Sequence, residues 1–321
     1  MIVGAVLALA LIVAAVVVGV RMVDSDDGDS SGSSEAGSSD TDSDNGAEDG
    51  AEGGGDADAM SEDSVADLRA SLDAEEAWTC YEAVPAAMST CFYFVAGDDP
   101  QRATLRIDLA DGQVTQVDLA PYLVDDPRPV TEAAARAVGD ALFEGLGDDL
   151  AEAAAADAEL RPDDLGAAAT FTAYGDGFQI RAEGAESTPP AAPSPPKTAA
   201  LAPTLTSAGF TCENSDATTI ACTKNDGRTE VRALGIDHDT SSSWNVSVRG
   251  AAYDKPLDET QARTLLGQEL VKLGLTDEAG ATFVTAAADR QEGDFSGFRL
   301  AMGIYSPGSD AHVSAAVENI R

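Results

Sequence analysis

Four cysteines are the residues of this chain with the most definite chemistry. Cys212 and Cys222 stand ten apart in "FTCENSDATTIACTK", residues 210–224, and Cys80 and Cys91 eleven apart in "WTCYEAVPAAMSTCFYF", residues 78–94. Cysteines on adjoining antiparallel strands can face each other at Cα separations of about 4.5 to 5.5 Å, which suit a disulfide. A structural zinc site wants ligand pairs two to four residues apart, and no C-x-x-C is present. Reactive thiols want basic neighbours, also missing here. Four cysteines allow three pairings, and the repetition described below selects Cys80 with Cys91 and Cys212 with Cys222. Free buried thiols are the alternative.

Other candidate chemistry is sparse. His238 lies in "GIDHDTSS" between Asp237 and Asp239, a cluster that could hold a metal but that reads as an exposed turn; His312 reads as the start of a strand. Asp40, Asp42 and Asp44 alternate like calcium-loop ligands, yet position six is Asn45 and position twelve Ala51, so no specific calcium site is expected. The patterns G-x-S-x-G, G-x-x-x-x-G-K-[ST] and H-E-x-x-H do not occur. No catalytic, metal or cofactor residue is therefore assigned. A pair of carboxylates for glycoside-type hydrolysis would leave no signature among so many acids. Raised carboxylate pKa values in a cleft between the repeats would favour it. Trp78 and Phe210 precede the first cysteine of each pair and should pack against the disulfides, and Trp244 alternates with Val246 and Val248 as a core strand does.

The elements that position these residues occur twice. Beyond the cysteine pairs, "ARAVGDALFEGLG" (135–147) aligns with "ARTLLGQELVKLG" (262–274), "ATF" (169–171) with "ATF" (281–283), and "GFQIRA" (177–182) with "GFRLAM" (297–302). On this alignment the first copy carries an extra Ala- and Asp-rich stretch around 148–162. Each unit reads as a helix, a cysteine-bearing strand pair, a second strand pair, a helix flanked by Pro129 or Pro256 and Gly147 or Gly274, and closing strands. Asp111-Gly112 marks a hairpin turn. The fold class is α+β, a tandem repeat of two small domains, each an antiparallel sheet with helices on one face and one intradomain disulfide. The expected boundaries are 64–182 and 198–321, joined by a Pro-rich spacer, 183–197. In architecture such tandem α+β units with one disulfide each are similar to β-lactamase inhibitory proteins, although cysteine spacing and element order carry no residue across.

Residues 2–20 are nineteen uncharged, mostly apolar residues, enough for a helix to cross a hydrocarbon core of about 30 Å. No basic n-region or small-x-small cleavage site accompanies them, so residues 1–22 are expected to be an uncleaved transmembrane anchor. With only Met1 ahead of the apolar run, any signal should pass through a partner. Residues 23–63 should form a disordered acidic linker, since 24–63 hold fifteen Asp and Glu and no Lys or Arg. A net charge of −38 disfavours nucleic acid and anionic lipid as partners and permits a cationic one. Arg21 alone would favour a cytoplasmic C-terminal side, but disulfides need an oxidising compartment. The expected location is the cell membrane, single-pass, with the repeats extracytoplasmic. The leading expectation is a non-enzymatic binding, sensing or scaffolding module of the envelope that meets another envelope protein. The alternatives are an anchored carboxylate hydrolase and an inhibitor of secreted enzymes.

Overall fold

A computed structural model describes residues 60–122, 124–185, 193–214, 216–251, 257–305 and 311–319. The expected anchor and nearly all of the acidic linker lie outside the described residues, among which no helix is long and apolar enough to cross a membrane. The first copy runs α1 (Glu62–Asp73), β1 (Trp78–Val84), β2 (Met88–Val95), β3 (Gln101–Ala110), β4 (Gln113–Tyr122), α2 (Arg128–Leu142), α3 (Gly147–Ala155), β5 (Glu159–Leu160), α4 (Pro162–Leu165), β6 (Ala169–Tyr174) and β7 (Gly177–Ala182). The second runs α5 (Thr198–Ser207), β8 (Thr211–Asn214), β9 (Thr219–Asn225), β10 (Thr229–Asp237), β11 (Ser242–Gly250), α6 (Glu259–Lys272), α7 (Glu278–Ala286), β12 (Glu292–Phe295), β13 (Phe298–Ile304) and β14 (His312–Asn319). Both sheets are antiparallel and seven-stranded, in the orders β1-β2-β3-β4-β7-β6-β5 and β8-β9-β10-β11-β14-β13-β12. The two orders match strand for strand, as expected of two similar α+β domains.

Local chemistry explains where these elements start and which face they bury. Ser61 caps α1 by accepting from the Ser64 amide, Glu62 and Asp63 complement the helix dipole, and Val65, Leu68 and Leu72 form one buried stripe. Asp258 and Asp277 cap α6 and α7 in the same way. In the strands the residues that meet the helices alternate with polar ones, as in β11, where Ser242, Trp244, Val246 and Val248 are buried between half-exposed neighbours. Trp244 is fully buried, and Gly235, its cross-strand partner, makes the room: a Cβ there would stand 2.6 Å from the indole ring. The Asp111-Gly112 step forms the expected hairpin turn, both residues at positive φ.

Topology corrects part of the internal alignment. "ATF" at 169–171 lies in strand β6, whereas "ATF" at 281–283 lies in helix α7. "GFQIRA" is β7, the neighbour of β4, but the neighbour of β11 is β14 and not the strand β13 that holds "GFRLAM". The stretch around 148–162 is no simple insertion, because its helix α3 packs on α2 as α7 packs on α6. Gly147 opens α3 rather than closing a helix. Short alanine-rich matches carried too little side-chain information to fix the register of these segments. Of the spacer, residues 193–197 lie against the second copy: Trp244 Nε1 donates to the Pro196 carbonyl at 2.8 Å, and Lys197 Nζ to the carbonyls of His238 and Ser241.

The two copies solve one core position differently. Beside its first cysteine the first copy packs Trp78 on Tyr93, ring centroids 5.4 Å apart, with Leu142 of α2 fully buried. At the equivalent positions the second copy has Phe210, Lys224 and Glu269; Lys224 Nζ stands 5.5 Å from the Phe210 ring centroid and 3.1 Å from the carboxylate of Glu269. Glu269 is fully buried, and Lys272 also reaches it at 2.8 Å. A buried carboxylate must be paired, whereas a half-exposed lysine can extend into water. Exchanging Glu269 for leucine, the residue of the first copy, should therefore change stability by no more than about 1 kcal/mol. Removing both cations (Lys224→Met with Lys272→Met) should cost about 3 kcal/mol or more, because the carboxylate is left unpaired. Urea unfolding of the three proteins checks this, and equal losses would contradict it.

Candidate functional site

The structure pairs Cys80 with Cys91 and Cys212 with Cys222, each across the first hairpin of its copy with Cα atoms 4.0 Å apart. No free cysteine occurs among the described residues. Both bridges lie on the helix-facing side, where Cys91 and Cys222 are buried and Trp78 and Phe210 join the cores containing them. These are staples, and the sequence located them correctly.

The histidine cluster does not assemble. His238 is exposed, its Nε2 3.3 Å from the Ser243 hydroxyl, while Asp237 accepts from the Thr198 amide and hydroxyl and the Ser242 hydroxyl at 2.8–2.9 Å. Burial works against the Asp237 charge, but these donors and Lys197 outweigh it and hold the carboxyl below its ordinary pKa. Asp237 thus caps α5 and is not free to bind a metal. His312 opens β14 with its ring 5.0 Å from that of Tyr305. Among the described residues no group of three metal-ligating side chains comes together.

Among the described residues, buried polar atoms without partners concentrate at the seam between the copies, where the sequence suggested only a cleft. Here the edge strand β12 lies against β1 and β2. Phe295 of β12 packs edge-on against Tyr81 of β1 at 5.1 Å between centroids, and the Arg299 guanidinium stands 5.1 Å from the Phe92 ring centroid. Arg102 donates to Glu292 at 3.0 Å, and Arg106 Nε to Asp108 at 2.8 Å. Asp294 has a fully buried side chain; its nearest cation is Arg299 Nε at 3.8 Å, beyond hydrogen-bond length, and neither carboxylate oxygen has a hydrogen-bond donor. Of the nine buried side-chain polar atoms without a partner among the described residues, six belong to Thr90, Arg102, Asp294 and Arg299. Native interiors rarely leave such groups unpaired. The seam is therefore where burial and hydrogen bonding are most in conflict.

Burial pushes the Asp294 carboxyl up to about 6; Arg299 and the nearby Thr90 hydroxyl oppose the shift, and Glu292 reinforces it. Burial raises Asp108 as well, against the pull of Arg106 and with help from Asp118. Tyr81 rises to about 12, chiefly by burial and then through Asp294 and Asp73, so its hydroxyl stays protonated. Raised carboxylates at the junction are what a hydrolase would need, but Asp108 and Asp294 are 2% and 5% exposed. Asp294 is closed within the seam beside Arg299, and Asp108 is covered within the first copy, where its charged neighbours are Arg106 and Asp118.

No family model, no curated protein and no solved structure matches this chain. Its architectural likeness to β-lactamase inhibitory proteins has no structural match behind it.

The sign of the Asp294 effect can be tested. A carboxyl whose folded pKa lies above its unfolded value adds stability that is complete below about pH 4 and lost as pH rises through about 6. Between pH 4 and 7 the native chain should lose about 2 kcal/mol relative to Asp294→Asn. Thermal or urea unfolding across that range reads the difference, and parallel curves for the two proteins would contradict it.

Proposed function

We propose that this chain is a single-pass, membrane-anchored extracytoplasmic protein whose paired α+β repeats form a non-enzymatic binding, sensing or scaffolding module of the cell envelope. The observation that carries this reading is the bridging of both cysteine pairs in equivalent hairpins. Such bridges persist in oxidising compartments. Residues 2–20 supply the apolar length for an anchor, and the acidic linker holds the repeats away from the bilayer. Each sheet carries helices on one face and a polar, partly open second face. In the first copy that face displays Asp118, Gln179 and Arg181, in the second Glu230, Arg232 and Arg249. These faces suit recognition of a polar or cationic envelope partner more than nucleic acid, given the net charge of −38. A carboxylate hydrolase is the less favoured reading, since both raised carboxylates, Asp108 and Asp294, are buried.

A membrane-impermeant thiol reagent on intact cells tests the topology. The reading predicts no labelling before reduction and labelling of the half-exposed Cys80 and Cys212 after it. Ready labelling without reductant would contradict the bridges, and protection of reduced thiols until cells are lysed would contradict the location.

A further inference from the structure

In both copies the first helix and the first hairpin leave a groove between them. The first is lined by Val65, Ala66 and Arg69 of α1 with Ala86, Met88 and Ser89 of the β1–β2 hairpin. The second is lined by Thr198, Ala199 and Ala202 of α5 with Ala217, Thr219 and Ile220 of the β8–β9 hairpin. The buried pairs Leu68/Leu201 and Leu72/Leu205 set the helices in register at an offset of 133, and Cys91/Cys222 set the hairpins at 131. At those offsets six of the eleven residues lining the first groove match six of the seven lining the second, the seventh being Asp216. The duplicated fold has kept one concavity through extensive change of side chains, with cavity volumes of about 230 and 220 Å³.

The chemistry of the two grooves differs sharply at one position, where Arg69 in the first is Ala202 in the second. Arg69 Nε is shielded from solvent and has no acceptor, and the guanidinium makes no ion pair among the described residues. Glu62 and Glu82 also line this groove, neither in ion-pair contact with Arg69, and its accessible apolar lining is Ala66, Val84, Ala86 and Ala87. Two carboxylates on an acidic surface repel a plain anion, and Arg69 repels a plain cation. A molecule carrying both charges on an apolar body suits all three groups. The volume lies below the roughly 300 Å³ at which pockets for drug-sized ligands begin, which fits one residue better than a peptide.

We propose that the groove of the first copy binds a small zwitterion with an apolar body, an α-amino acid, with its carboxylate on Arg69, its ammonium toward Glu62 and Glu82 and its side chain on Ala66, Val84 and Ala87. This rests on the reading of the repeats as a binding module and names a ligand class for it. The second groove, without the arginine, serves as an internal control.

Calorimetric titration of the full-length protein in detergent micelles with L-leucine should give saturable binding of one molecule per chain. Leucinamide, lacking the carboxylate, and N-acetylleucine, lacking the ammonium, should each bind at least tenfold more weakly. Arg69→Ala, which gives the first groove the residue of the second, should weaken leucine at least tenfold, with circular dichroism confirming the fold. Arg69→Lys should lie between the two. The double exchange of Glu62 and Glu82 to glutamine should remove the preference for leucine over N-acetylleucine. No saturable binding up to about 10 mM, two molecules per chain, or equal affinities for leucine and its two derivatives would overturn the proposal. So would undiminished binding by a folded Arg69→Ala protein. None of these failures would alter the thiol-labelling outcome that tests the anchored, extracytoplasmic reading.

Discussion

Each copy depends on one covalent clasp between its outermost strand and the next. The edge strands β1 and β8 have a hydrogen-bonded neighbour on one side only, and β8 is four residues long. A strand so short, with a single ladder, contributes little of its own to hold position. The disulfide closes a small loop of the unfolded chain and fixes the edge strand in register with β2 or β9. From that edge the remaining features follow: the first helix packs on the clasped hairpin, a groove lies between them, and in the first copy β1 becomes the surface against which β12 docks.

Much of this was legible because it is local. The cysteine spacing, the aromatic residue beside each first cysteine and the Asp111-Gly112 turn each depend on residues a few positions apart. The closing strands were misaligned because segments such as "ATF" hold alanine and threonine, which suit a strand in one copy and a helix in the other. Which of β13 and β14 lies beside β11 is decided by packing across the whole sheet. Beyond reach too was the seam, whose contact between Arg102 and Glu292 joins residues 190 positions apart. Nothing around Asp294 in the sequence distinguishes it from the other acids; burial by the other copy does.

Duplication gives the molecule two versions of each local problem. Tyr93 and Leu142 in one core become Lys224 and Glu269 in the other, an apolar contact exchanged for a buried ion pair at equal topology. Arg69 in one groove becomes Ala202 in the other. The seam has no such twin, since β12 of the second copy occupies the place in the sheet order of β5 in the first, yet only β12 meets the other copy. The asymmetry turns two related domains into one body with a charged and under-paired joint.

The most direct test of the central claim, that two copies of one internally bridged fold stand in an oxidising compartment, is non-reducing peptide mapping of the protein taken from its native membrane. The account predicts two linked peptides, one joining Cys80 to Cys91 and one joining Cys212 to Cys222. Free thiols at these positions, or a bridge joining a cysteine of the first copy to one of the second, would contradict it.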